Sequence, residues 1–151
     1  MTTEVSASLI ATLPGHYYTD PDVFLQEQER LFEALWCCAV RAADLDRPGA
    51  YRTVQVGRES VLVTRARDGG LRAFLNVCRH RGARLCADEA GQVRRSLQCP
   101  YHAWTYDLNG RLIGTPNVKE DEFFDRAEHP LHPVAIGEYA GFLFANLSRE
   151  P

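Results

Sequence analysis

The stretch "NVCRHRGARLC", residues 76–86, and the stretch "LQCPYHAW", residues 97–104, each set a cysteine close to a histidine. The pairs are Cys78-x-His80 and Cys99-x-x-His102, with eighteen residues between His80 and Cys99. Strand-forming runs flank both: "LRAFLNV" leads into Cys78, "VRRSLQ" leads into Cys99, and "TYD" leaves the second pair before an Asn109-Gly110 turn. Each pair therefore falls in a loop between strands, where a rigid β scaffold can aim several side chains at one point.

A lone cysteine or histidine is usually a core or surface residue; four at this spacing in Gly- and Pro-bearing loops point to a metal or cluster. Structural zinc favours pincers in which like ligands pair. Each pincer here is mixed. A [2Fe-2S] centre with two cysteines on one iron and two histidines on the other draws one ligand of each kind from each loop, which is the pattern observed.

Working outward, the chain has 151 residues, enough for one domain with its own core. Hydrophobic residues make up 45% and charged residues 25%, and no apolar run approaches the roughly 20 residues of a membrane span. A formal charge of -3 gives no reason to expect nucleic acid, which demands a concentrated basic face. The N-terminus lacks the basic region and long apolar run of a secretory signal, so a cytoplasmic location is expected. Five cysteines cannot all pair within the chain, which favours metal chemistry over a disulfide framework. Cys37 and Cys38 read as packing residues on opposite faces of a strand, and Cys86 as a small buried apolar residue.

The expected fold is all-β, an antiparallel sandwich with an N-terminal helix and two cluster-binding loops. The helix is capped by Thr19 or Asp20, has Pro21 in its first turn, and repeats Phe24, Gln28, Leu31, Phe32 and Leu35 at helical spacing until about Trp36. Strands follow at "WCCAV", at "YRTVQV" and "SVLVTRA" around Gly57-Arg58-Glu59, after Asp68-Gly69-Gly70, and around Gly141. Residues 1–40 read as a helical segment with the first strand, and 41–151 as the cluster-binding domain.

The motifs "CRHRG" and "CPYHAW" resemble the Rieske centre of the Rieske non-haem iron oxygenases, the ring-hydroxylating and amine-oxidising enzymes. "YTDPDVFLQEQERLFEALW", "DLDRPGAY", "TYDLNGRLIGTPN" and "GFLFANL" extend the resemblance from about Tyr18 to Leu147. It implies Cys78 and Cys99 on an inner iron of a [2Fe-2S] cluster and His80 and His102 on an outer, solvent-side iron. It also implies single-electron relay from a ferredoxin or flavin-dependent reductase to a mononuclear non-haem Fe(II) in a catalytic oxygenase domain or subunit. Respiratory and photosynthetic Rieske proteins carry two further cysteines that clamp the loops; Ala83 and Tyr101 stand at those positions here.

Around the ligands, Arg79 and Arg81 flank His80 and would balance charge, dock a partner or simply meet solvent. Tyr101 would donate a hydroxyl towards the cluster or merely pack, and Trp104 would wall it off. The remaining histidines, His16, His129 and His132, read as surface or turn residues and form no second iron site. The oxygen-activating site is therefore expected outside this chain, which would make it an electron-transfer part of an oxidoreductase. A free-standing Rieske-type ferredoxin and a zinc-stabilised interaction module are the alternatives. No nucleic-acid or membrane partner is expected.

Overall fold

The computed structural model describes residues 11–116, 118, 124–148 and 151. Asp20 caps the first helix, α1 (Pro21–Glu27), by accepting the Asp22 N–H at 2.9 Å, and Pro21 fills the first turn. The helix is shorter than its periodicity suggests: a π-helical turn, Gln28–Phe32, takes over and rotates the pattern. Gln28 is buried, while Phe24, Leu31, Phe32 and Leu35 stay substantially exposed.

Among the described residues ten strands follow in three antiparallel sheets. β1 (Cys37–Arg41) pairs with β10 (Phe142–Asn146), which pairs with β9 (Ala135–Tyr139). A four-stranded sheet runs in the order β4 (Leu71–Leu75), β3 (Glu59–Arg65), β2 (Ala50–Val56), β5 (Ala90–Gln92). The third sheet is β6 (Ser96–Gln98), β7 (Thr105–Asp107) and β8 (Leu112–Gly114). The hairpins sit where turn chemistry places them. Val56 pairs with Glu59 across Gly57-Arg58, and Phe142 with Tyr139 across Ala140-Gly141, with left-handed backbone at Gly57, Ala140 and Gly141.

Two apolar clusters divide the interior. One, containing Leu45, Val61, Val63, Leu143 and Ala145, joins the first two sheets. The other, containing Leu62, Phe74, Leu97, Tyr106, Leu112 and Leu131, lies beneath the two pincers and includes Cys78 and Cys99. Cys37 is half-buried, and Cys38 is exposed rather than packed, because the outer face of β1 has no layer over it among the described residues. Among the described residues no helix is long and apolar enough to cross a membrane.

Candidate metal centre

The two pincers prove to be the same turn. The Cys78 N–H donates to the Ala83 carbonyl at 2.8 Å, and the Gly82 N–H donates back to the Cys78 carbonyl at 3.0 Å. The Cys99 N–H donates to the Trp104 carbonyl at 2.8 Å, and the Ala103 N–H donates back to the Cys99 carbonyl at 3.0 Å. Each turn needs left-handed backbone four residues after its cysteine, met by Gly82 (φ 71°) and by Ala103 (φ 56°). At Gly82 a Cβ would meet nothing, so dihedral freedom rather than space selects glycine. Ala103 adopts the same conformation at a cost of about 1–2 kcal/mol. Asn76 ties down the first loop: its side chain accepts the Cys86 N–H at 3.0 Å and donates to the Cys86 carbonyl at 2.8 Å.

These turns bring all four donor residues together. Cys78 and Cys99 are both buried in the same apolar cluster, and each thiol bears on the other electrostatically. The His80 and His102 rings stand edge to face, centroids 4.7 Å apart, towards the surface. His80 Nδ1 is buried with no hydrogen-bond partner, a costly state for a ring nitrogen unless a metal meets it. Burial, then His102 and Arg81, pull the His80 imidazole below its ordinary pKa, favouring the neutral form that binds metal. Among the described residues no three His, Cys, Asp or Glu side chains gather where a single ion would sit. A thiol pair inside and an imidazole pair outside suit a two-metal group better than one closed tetrahedral ion.

Of the two roles open to Tyr101, packing is the one the geometry shows. Tyr101 is 62% exposed and lies on His102, ring centroids 3.8 Å apart. The hydroxyl that reaches a cysteine belongs instead to Tyr106, which is fully buried and stands 3.4 Å from Cys78 Sγ. The same hydroxyl accepts the Arg79 N–H at 3.0 Å. Tyr106 faces inward because it pairs with Leu97 across β6 and β7, and strand alternation turns both into the core under the site. Burial pushes the Cys78 thiol up, and the hydrogen bonds from Tyr106 and the His80 backbone pull it back. In the iron-loaded protein, Tyr106→Phe is expected to lower the midpoint potential by roughly 40 mV. That corresponds to losing about 1 kcal/mol of hydrogen bonding to the more negative reduced state, where 59 mV is a tenfold change. Redox titration checks this, and an unchanged potential would show that the hydroxyl is only a packing group.

Trp104 is only 4% exposed and stacks on His80 at 4.7 Å and 13°. His129, expected in a surface or turn role, meets the Trp104 ring edge to face at 6.0 Å. Arg79 turns away from the outer edge, donating to the Pro130 carbonyl at 2.9 Å and tying the first pincer to that same loop. Arg81 stays exposed beside His80, His102 and Tyr101. Cys86 is buried beside Tyr51, and its thiol pKa is raised to about 11, chiefly by burial. Timed alkylation with mass spectrometry is expected to label Cys38 at least a hundredfold faster than Cys86, since thiolate is the nucleophile and the shift alone supplies about that factor. Equal rates would contradict the burial of Cys86.

The Rieske [2Fe-2S] domain family matches residues 35–136. The chain is 43% identical over 141 residues to the glycine betaine monooxygenase oxygenase subunit of Chromohalobacter salexigens, covering 93% of this chain and 31% of that one. It is 40% identical over 136 residues to the carnitine monooxygenase oxygenase subunit of Escherichia coli, covering 90% and 36%. The crystal structure of the apo form of the quaternary ammonium Rieske monooxygenase CntA superposes with a TM-score of 0.86 at 38% identity, over 93% of this chain and 40% of that one. The chain belongs to the Rieske [2Fe-2S] domain family, in its Rieske oxygenase branch. It spans about a third of the length of the curated relatives it matches.

Proposed function

We propose that this chain is the electron-transfer part of an amine-oxidising Rieske oxygenase, with residues 41–151 as the cluster-bearing unit and 1–40 as a leading helical segment and first strand. The observation that carries the reading is the pair of equivalent turns presenting a buried thiol pair and a surface imidazole pair. Cys78 and Cys99 would hold the inner iron of a [2Fe-2S] cluster and His80 and His102 the outer iron. The cluster supplies a store for one electron, uncharged when oxidised and carrying one negative charge when reduced.

The chain's own residues serve that store in distinct ways. Trp104 and the apolar cluster exclude water from the thiol side, and the Tyr106 hydroxyl favours extra negative charge on Cys78. His102, exposed, is the edge through which an electron enters and leaves. The donor would be a ferredoxin or flavin-dependent reductase, and the acceptor a mononuclear non-haem iron in a catalytic domain or subunit. The glycine betaine and carnitine monooxygenase relatives favour amine oxidation over ring hydroxylation.

Protein-film voltammetry of the iron-loaded chain tests this. Without the disulfide clamp, the midpoint should fall at the low end of the roughly -150 to +300 mV span of Rieske centres. It should be nearly flat around pH 7, since imidazoles neutral in both redox states exchange no proton with the electron. A midpoint above about +150 mV or a steep slope near pH 7 contradicts the assignment.

A further inference from the structure

Charge is segregated along this chain. Between Cys78 and Arg111 the sequence holds six arginines against three acids, while the whole chain holds 17 basic and 20 acidic side chains. Several arginines outside this segment find acids: Arg52 pairs with Asp44, Arg58 with Glu33, Arg72 with Asp68. Among the described residues Arg67, Arg81, Arg94 and Arg95 have no acid within ion-pair distance, as is also true of scattered arginines such as Arg30 and Arg41, but these four lie near one another or near the imidazole pair.

Three of these four meet at one place. The turn from β5 to β6 exposes Arg94 and Arg95, which with Gln98 line a surface concavity. Arg67, from the β3–β4 turn, reaches across and donates to the Arg94 carbonyl at 3.3 Å. Gln98 also borders the neighbouring concavity that holds Arg81, Tyr101, His80 and His102. An uncompensated guanidinium surface thus adjoins the exposed imidazole edge. Clustered like charges repel and bring no benefit within the chain, yet they attract an acidic partner and raise its encounter rate by ten- to a thousandfold.

We infer that the concavity lined by Arg94 and Arg95, with Arg67 bonded at its edge, docks the carboxylate-bearing face of the one-electron donor protein, holding it beside His102. The inference rests on the electron-transfer reading above and adds to it the docking surface and the chemistry of the partner. One electron passes, the donor is oxidised by one and this chain reduced by one, and no bond or proton is exchanged.

The test uses the iron-loaded chain, stopped-flow mixing and two reductants: a reduced plant-type [2Fe-2S] ferredoxin as an acidic protein probe, and reduced methyl viologen as a small cation. Arg94→Glu with Arg95→Glu is expected to slow reduction by the ferredoxin at least tenfold at low salt and to flatten its ionic-strength dependence. Arg94→Gln with Arg95→Gln falls between, and methyl viologen is not slowed by either pair, which shows that the centre is intact. Arg30→Glu with Arg41→Glu makes the same change in net charge elsewhere and leaves the ferredoxin rate within about twofold. An unchanged ferredoxin rate in the Arg94/Arg95 variants, or an equal loss in the Arg30/Arg41 variant, overturns the docking surface. Failure of methyl viologen to bleach even the unaltered protein would overturn the electron-transfer reading itself.

Discussion

Cys99→Ala is expected to give a folded, colourless protein whose iron content falls from about two per chain to below a tenth of that. The fold should survive because the turn around Cys99 is held by backbone groups, the Cys99 N–H on the Trp104 carbonyl and the Ala103 N–H on the Cys99 carbonyl. What is lost is one of the two thiolates, which no neighbour replaces: Cys86 lies in the same core but is fixed through Asn76 and Tyr51 rather than aimed at the pincers. Cys78→Ala should behave alike and also strip the Tyr106 hydroxyl of its sulfur partner. Cys86→Ala is the control and should keep its full iron complement. Metal analysis and circular dichroism decide. Full iron in Cys99→Ala, or none in Cys86→Ala, contradicts the roles given to the three buried cysteines.

Trp104→Ala should cost about 3–5 kcal/mol, the usual range for removing a buried tryptophan. Its indole stacks on His80 and touches Phe124 and His129, so its loss opens a cavity between the first pincer and the loop around Pro130. For a domain of this size that is roughly 10 °C or more in apparent melting temperature. The cluster should also bleach faster in chelator, because water gains access past His80. Trp104→Phe keeps a ring against His80 and should lose less on both counts. Thermal unfolding and bleaching rates measure the effect, and a loss below about 1 kcal/mol would mean that the neighbours collapse into the space.

Local chemistry explains why much of this was readable in the sequence. Hairpins announced themselves through residues that tolerate left-handed backbone, at Gly57, Gly69, Gly110 and Gly141. The four candidate ligands stood out through their mixed pairing. The equivalence of the two turns was hidden, because the histidine follows its cysteine by two residues in one and by three in the other, and only the backbone bonds align them. Tyr106 was hidden for a different reason: its partner Cys78 lies 28 residues away, and only the pairing of β6 with β7 turns its hydroxyl inward. Tyr101, nearer to the candidate ligands in sequence, is open there between that role and packing, and it lies exposed against the His102 ring. β5 gave no propensity signal at all. Ala90–Gln92 forms a strand because it lies along the edge of β2, where the Tyr51 ring leaves room at Gly91 for no side chain. The helix periodicity ran past its true end because the π-helical turn inserts at Gln28, a shift that spacing alone does not reveal.

The central claim is that Cys78 and Cys99 bind one iron while His80 and His102 bind the other. Pulsed EPR of the dithionite-reduced protein, produced with 15N-histidine, addresses it directly. Two directly bonded histidine nitrogens on one iron are expected, falling to one in His102→Cys, with about two irons and two sulfides per chain. A spectrum without histidine nitrogen coupling, or stoichiometric zinc in place of iron, would contradict it.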